Sequence, residues 1–255
     1  MSTCVYILAQ GVQSRLPDLA IPKQWLPLPA CGETPILHRT LVQLWRLLGC
    51  QIGDLPNVTV INTPELGQII RRGMGIKVAS DVYFTPNTYT LTDPGNSSLK
   101  GARRTIDAFS RDYWGEATPI ADWNVMLLGD VVYSWDCLTR LLTPSSRVTV
   151  CRTSDLSQSG GELWGVAWSK ERDDFVNDAL DAALERHPPF RDYQPGQLRH
   201  WYWAMNGAEP GAPVTAYAVD DYTDDVDVPA DVKNLPLVAA ADAADDLKRG
   251  ITWPL

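Results

Sequence analysis

Two cationic side chains, Arg15 and Lys23, follow a short apolar run near the amino terminus. The run 5–9 ends just before Gly11 and is typical of a buried strand. A loop that leaves a buried parallel strand lies at the carboxyl edge of the sheet, where open α/β sheets bind ligands. Arg offers a planar fork of donors and Lys a compact point charge, so the pair suits a polyphosphate. An ordinary strand, loop and helix with two solvated cations fits the same pattern.

A carboxylate follows the second strong apolar run of the chain. Asp130 follows Gly129 at the end of residues 125–128, which are typical of a buried strand. An acid at the mouth of a buried sheet is well placed to hold Mg²⁺, a hard cation that takes carboxylate and phosphate oxygens. The alternative is a helix N-cap, but Ser134 or Asp136 can serve as the cap of the helix that follows. Asp130 is therefore free to act as a metal ligand.

A third acidic stretch lies near the carboxyl terminus. Residues 220–231 contain six aspartates, which would repel one another if all were buried. Most of them must therefore be solvated or close to a cation. The motif Asp225-Val226-Asp227 within this stretch formally reads Asp-x-Asp.

The elements that must position these residues are those of one large α/β domain, which the length of 255 residues fits. Segment 35–49 is the clearest helix, since Pro stands at its start and Gly at its end. Segment 58–62 is a β-branched strand. Further strands are predicted at 147–151 and 160–168, and an amphipathic helix at 170–186.

Composition limits the partners. The net charge of −9 argues against a nucleic-acid-binding surface. Five scattered cysteines without a C-x-x-C pair predict reduced thiols and a cytoplasmic location. No run has the length of a membrane span, and the first residues do not resemble a signal peptide. We expect neither nucleic acid nor a membrane as partner.

The order of the motifs resembles that of nucleotidyltransferases with a GT-A-like Rossmann fold, which include sugar-phosphate nucleotidylyltransferases and MobA-like NTP transferases. Their opening pattern is Leu-Ala-Ala-Gly-x-Gly-x-Arg-Leu/Met, a short gap, then Pro-Lys. Here it stands as residues 8–16 followed by Pro22 and Lys23. Gln10 replaces a small residue and Gln13 replaces the second Gly. A side chain at position 13 would crowd the phosphates if the backbone there needs a positive φ.

The resemblance implies a three-layer α/β/α, Rossmann-like (GT-A-like) fold with a mixed, mostly parallel central sheet. Residues 1–255 would form a single domain. Residues 1–150 would be its nucleotide-binding half, 151–235 its acceptor-binding half and 236–255 a carboxyl-terminal tail.

The resemblance also implies roles for individual residues. Arg15 would hold the β- and γ-phosphates, and Lys23 would stabilise the charge that develops at the α-phosphate. Asp130 and Asp227 would be the metal ligands for Mg²⁺, with Asp225 as the competitor for the second position. The implied nucleotide-binding residues are Leu8, Ala9, Gln10, Gly11, Gln13, Asn96, Ser97 and Ser98.

The acceptor half offers weaker patterns. Glu162 lies at the Gly-flanked strand near which this family builds its acceptor pocket, and it would accept hydrogen bonds from sugar hydroxyls. A solvated acid at a strand end is an equal alternative. The aromatic and basic segment 197–205 would either wall a phosphate pocket or pack on the sheet, and we favour packing.

The predicted function is transfer of a nucleotidyl group from an NTP to a phosphorylated acceptor, expected to be a sugar phosphate, with release of pyrophosphate. The alternatives are a GT-A glycosyltransferase that uses a nucleotide-sugar, a molybdenum-cofactor nucleotidyltransferase with a pterin acceptor, and a catalytically degenerate nucleotide-binding module. The substitutions Gln10 and Gln13 point to the degenerate module. The base, the acceptor and the oligomeric state stay open.

Overall fold

The structure is a computed structural model. It describes residues 2–9, 18–19, 21–31, 33–49, 58–62, 66, 68–70, 76–79, 82–84, 87–90, 100, 102–103, 105–106, 121–143, 146–153, 162–185, 198–208, 214–226 and 229–251.

The strands in these residues are β1 Thr3–Ala9, β2 Pro27–Leu28, β3 Thr34–Pro35, β4 Val58–Asn62, β5 Ile76–Ala79, β6 Val82–Phe84, β7 Asn87–Thr90, β8 Trp123–Leu128, β9 Val131–Val132, β10 Val148–Arg152, β11 Leu163–Ser169, β12 Val214–Ala218 and β13 Asp224–Asp225. The α-helices are α1 Ile36–Leu47, α2 Trp135–Leu142, α3 Asp173–Glu185, α4 Arg199–Ala208 and α5 Pro229–Lys248. No helix in the described part of the chain is long and apolar enough to cross a membrane.

Within the described residues, one sheet has seven strands in the order β12-β10-β11-β8-β1-β4-β7. Strand β1 pairs in parallel with both β4 and β8, and β12 pairs in parallel with β10. Strand β11 is antiparallel to both of its neighbours, β8 and β10. Six strands therefore share one direction and β11 alone is reversed, which confirms the predicted mixed, mostly parallel sheet.

Both faces of the sheet are apolar and carry helices. On one face, a buried cluster joins the sheet to α1 and α2 and includes Ile7, Leu127 and Leu141. On the other face, a second cluster joins it to α3 and α4 and includes Met126 and Trp201. Neighbouring residues of β8 thus serve opposite faces, as the pleat of a strand requires. The sheet lies between two helical layers, and the predicted α/β/α architecture is confirmed.

Helix α1 begins and ends as its sequence predicts. Pro35 precedes its first residue with an extended backbone, which suits a helix start because Pro lacks the N–H that would go unpaired there. Gly49 follows its last turn with φ of +63°, the left-handed conformation that glycine adopts without strain.

The carboxyl-terminal helix α5 is anchored on α1 by buried ion pairs. The Arg39 guanidinium donates to both carboxylate oxygens of Asp242 at 2.6 and 2.7 Å, and to Asp246 at 2.7 Å. The Trp135 indole also donates to Asp246, and the Tyr222 hydroxyl donates to Asp242. We call these five residues the Arg39 cluster. Arg39, Asp242 and Asp246 are each at most 2% exposed, so one buried cation is shared between two buried carboxylates.

The resemblance implied that residues 236–255 form a carboxyl-terminal tail, and no role was predicted for it. The structure instead gives α5 twenty residues, and this helix contributes Leu235 and Ala239 to a third buried cluster with Leu28 and Ile36. The end of the described chain is therefore part of the core.

We predict that Asp242→Asn destabilises the protein by about 1.5–3 kcal/mol, because the buried Arg39 guanidinium loses its bidentate hydrogen bonds to a carboxylate. The matched control is Asp181→Asn. Asp181 pairs with Arg103 at 3.3 Å, but its side chain is 49% exposed, so the loss should stay below about 1 kcal/mol. Urea unfolding measures both free energies, and equal losses would contradict the anchoring role.

Candidate active site

The carboxyl ends of the parallel strands bring the predicted residues to one edge of the sheet. Leu8 and Ala9, two of the predicted nucleotide-binding residues, are buried at the end of β1. The backbone N–H of Gly129 donates to the carbonyl of Leu8 at 2.9 Å. The turn that carries Asp130 is therefore tied directly to the end of the first strand.

Lys23 and Asp130 meet at this edge. Lys23 opens a short 3-10 helix, Lys23–Trp25, and its ammonium forms an ion pair with the Asp130 carboxylate. The two side chains are 9% and 14% exposed. The structure thus brings together the cation and the acid that the sequence singled out for phosphate and metal chemistry.

The third acidic stretch lies beside Asp130. Strand β13 pairs with β9, so that Asp225 lies opposite Val131. The N–H of Val226 donates to the backbone carbonyl of Asp130 at 3.2 Å. The backbone of Asp225 therefore passes close to the first predicted metal ligand.

Asp130 is not the cap of the helix that follows it. The Ser134 hydroxyl caps α2 by accepting from the N–H of Cys137 at 3.1 Å. The Ser134 N–H in turn donates to the hydroxyl of Thr223, which precedes β13. The cap thus leaves the Asp130 carboxylate available to a cation and adds a second link to the third acidic stretch.

Tyr133 joins two strands next to this edge of the sheet, and the sequence analysis did not predict this role. Its buried hydroxyl accepts from the N–H of Leu128 at 2.8 Å and donates to the carbonyl of Trp164 at 2.7 Å. Burial raises the pKa of Tyr133 well above its ordinary value, so the hydroxyl keeps its proton and remains a donor. The side chain therefore joins the end of β8 to the start of β11. Its place in a run of apolar residues gave no signal for this role.

Several predicted site residues lie outside the described residues and stay predictions. They are Gln10, Gly11, Gln13, Arg15, Asn96, Ser97, Ser98 and Asp227.

Glu162 reaches the same edge from the acceptor half. The N–H of Glu162 donates to the hydroxyl of Thr153 at 3.0 Å, and the N–H of Thr153 donates to the carbonyl of Glu162 at 3.0 Å. This exchange fixes Glu162 beside the carboxyl end of β10. Its part in acceptor binding remains a prediction.

The aromatic segment of α4 packs on the sheet, as we favoured. Trp201 and Met205 are fully buried in the second core cluster. The Trp201 ring meets Trp168 edge-on at 6.0 Å, and its indole N–H donates to the carbonyl of Val176. These side chains hold α4 against α3 and the sheet.

The donor set suits a hard divalent cation. The described residues hold no group of three or more metal-ligating side chains. Mg²⁺, however, usually takes one or two carboxylates and completes its shell with water and substrate phosphates. Asp130 supplies one carboxylate and already faces a cation, the Lys23 ammonium. The residues present therefore fit Mg²⁺ bound together with a phosphate ligand.

The three-layer fold is similar to that of solved sugar-phosphate nucleotidyltransferases, as the order of the motifs predicted. No protein-family model and no curated protein matches the sequence. The likeness therefore rests on solved structures.

Three solved structures illustrate it. A protein from Bacillus anthracis described as a glucose-1-phosphate thymidylyltransferase gives a TM-score of 0.59 at 15% identity, over 94% of this chain and 96% of that one. The 4-diphosphocytidyl-2C-methyl-D-erythritol synthase of Anaerococcus prevotii gives 0.58 at 9% identity, over 92% and 95%. The inositol-1-phosphate CTP transferase of T. maritima gives 0.55 at 12% identity, over 99% and 98%. At such identities the likeness establishes the fold alone.

We predict that Gly129→Ala destabilises the protein by roughly 1–3 kcal/mol, because the added methyl overpacks the junction of β1 and β8. A Cβ at this position would lie 2.7 Å from the Cβ of Ala9 and 3.1 Å from the carbonyl of Leu8. The matched control is Gly207→Ala in α4, where a Cβ meets nothing within 4 Å. The control should be neutral or stabilising by about 0.5–1 kcal/mol. Similar unfolding midpoints in urea for both variants would contradict the close approach.

We predict that acid weakens the fold through His200. Burial and the neighbouring Arg199 lower the pKa of His200 to about 4 from its ordinary 6.5. Between about pH 6.5 and pH 4, His200 is protonated in the unfolded chain but neutral in the folded chain. The free energy of unfolding therefore decreases as the pH falls from about 6.5 towards 4. Near pH 5 the loss should be about 1–2 kcal/mol relative to pH 7.

Urea unfolding at the two pH values tests this contribution. His200→Asn should remove it, whereas His38→Asn, at a partly buried position of α1, should leave it in place. An unchanged acid response of the His200→Asn variant would refute the assignment.

Proposed function

We propose that the protein is a nucleotidyltransferase that joins an NTP to a phosphorylated small-molecule acceptor and releases pyrophosphate. The observation that carries this proposal is the Lys23–Asp130 ion pair at the carboxyl edge of a sheet with this fold. The names of the three similar structures support it, since each describes a nucleotidyl transferase or the synthase of a diphosphocytidyl compound.

In this reaction an acceptor phosphate oxygen bonds to the α-phosphorus of the NTP, and the bond to the β-phosphate oxygen breaks. Both reactants and the leaving pyrophosphate are anionic, so positioning and charge stabilisation carry most of the catalysis. Lys23 would stabilise the charge that develops at the α-phosphate, and Arg15 would hold the β- and γ-phosphates. An acceptor phosphate monoester is largely ionised at pH 7, so the protein needs neither a nucleophile nor a general base.

Asp130 would hold Mg²⁺ together with Asp227, or with Asp225 in its place. When bound, the ion would neutralise phosphate charge on the two substrates. The backbone bond between Val226 and Asp130 supports this pairing, because it holds the third acidic stretch against the first ligand.

We infer that the acceptor is a sugar phosphate or a polyol phosphate. Glu162 supports this inference because its backbone is fixed at the same edge of the sheet as Asp130, next to the end of β10. A carboxylate there can accept hydrogen bonds from acceptor hydroxyls.

The first experiment measures pyrophosphate release with Mg²⁺ across ATP, GTP, CTP, UTP and dTTP, each with a panel of sugar-1-phosphates and polyol phosphates. Release that requires one NTP and one acceptor is the expected result. Release of a nucleoside diphosphate from a nucleotide-sugar would indicate a glycosyltransferase instead. The departures Gln10 and Gln13 favour one other candidate, a binding module, which would bind an NTP without releasing pyrophosphate from any pair.

We predict that Lys23→Met and Asp130→Asn each lower kcat by roughly 100-fold or more, because each removes a charge that the transition state needs. The matched controls are Lys170→Met, at an exposed position, and Asp181→Asn, whose side chain is 49% exposed. Their turnover should equal that of the wild type. Full turnover by either site variant in the pyrophosphate assay would overturn the assignment.

A further inference from the structure

We propose that Lys23 is the built-in counter-cation of Asp130 in the nucleotide-free protein, so that a divalent cation binds Asp130 tightly only after a triphosphate has drawn Lys23 away. This inference rests on the proposed function. It adds a coupling between the two ligands of the site, in which nucleotide and metal each favour the binding of the other.

The first support is burial. The side chains of Lys23 and Asp130 are 9% and 14% exposed. Charges that have largely left water stay paired, because an uncompensated buried charge is strongly unfavourable. In the nucleotide-free protein the Asp130 carboxylate is therefore already occupied by a cation.

The second support is the fixed backbone on both sides of the pair. In the 3-10 helix of Lys23, the N–H of Trp25 donates to the carbonyl of Pro22, and the N–H of Leu26 donates to the carbonyl of Lys23. Leu26 is also buried in the third core cluster. The backbone carbonyl of Asp130 is held by a hydrogen bond from the N–H of Val226. The pair is thus pre-organised, and only the lysine stem needs to rotate for the ammonium to leave the carboxylate.

The third support is simple competition. The Lys23 ammonium contacts one oxygen of the Asp130 carboxylate. An ammonium and a divalent cation on the same carboxylate repel each other, so each weakens the binding of the other at Asp130. A metal that binds alone must compete with Lys23 for this anion. A triphosphate offers Lys23 another anion, and coupling of this kind acts equally in both directions.

The contrasting possibility is a preformed metal site in which Lys23 acts on the nucleotide alone. Removing Lys23 would then leave the metal affinity of the free protein unchanged. If Lys23 is the counter-cation of Asp130, removing Lys23 should instead increase the affinity of the free protein for the metal.

The test is a titration of the nucleotide-free protein, residues 1–255, with Mn²⁺, with free Mn²⁺ measured by electron paramagnetic resonance. If Lys23 occupies Asp130 in about nine of ten molecules, Lys23→Met should bind Mn²⁺ roughly tenfold more tightly than the wild type. Lys23→Arg keeps the charge and should bind like the wild type. The double variant Lys23→Met/Asp130→Asn should lose the gain. Equal Mn²⁺ affinity in wild type and Lys23→Met would overturn the proposal.

A salt control separates direct occupancy from a long-range field. At about 0.5 M KCl, charges several ångströms apart in solvent are screened, whereas a largely buried contact is screened much less. The gain in Lys23→Met should persist, and a gain that disappears would contradict direct occupancy. Lys23→Gln provides a second uncharged variant, with near-UV circular dichroism as the check that each variant is folded.

The test is independent of turnover. Mn²⁺ binding requires neither the correct NTP nor the acceptor, so a negative pyrophosphate assay overturns the proposed function and leaves this measurement intact. Conversely, an active enzyme whose Lys23→Met variant binds Mn²⁺ no more tightly than the wild type would overturn the counter-cation role alone.

Discussion

The parallel pairing of β1 with β8 is the constraint on which the site depends. Its register places Leu8 opposite Leu128, so the two strands end together. The loops that follow them then leave the sheet at one edge, as in other open α/β sheets. Gly129 completes the junction because a larger residue would meet the end of β1. The meeting of Lys23 with Asp130 follows from this register, although the two residues are far apart in the sequence.

A second set of contacts supports the two segments that approach the Lys23–Asp130 pair. Helix α5 begins shortly after β13 and packs against the segment around Cys31, which follows the Lys23 helix. Burial and the charge of Asp242 raise the pKa of Cys31 to about 12, so its thiol remains neutral there. The Arg39 cluster holds α5 in place. Both segments that approach Asp130 are therefore supported by one helix and its buried charges.

The features that could be predicted from the sequence are those that depend on local patterns of residues. The apolar runs of β1 and β8, the ends of α1 and the placement of Lys23 and Asp130 could all be predicted, because strand periodicity and the parallel-sheet rule suffice for them. The Arg39 cluster and Tyr133 could not be predicted. Their partners lie on other elements, and an acid such as Asp242 looks like any solvated acid until the chain folds. Arg15, Asp227 and the loop residues Asn96, Ser97 and Ser98 stay predictions.

The anchoring of α5 has a consequence for the order in which the protein is made. Arg39 precedes its partner Asp242 by 203 positions, so a ribosome synthesises the cation long before the anion. Until α5 emerges from the exit tunnel, burying Arg39 would leave its charge without these carboxylates, which is strongly unfavourable. We therefore expect the Arg39 side of α1 to stay hydrated until α5 is available to pair with it. The helix that supports the charged edge is thus joined to its partner across most of the described chain.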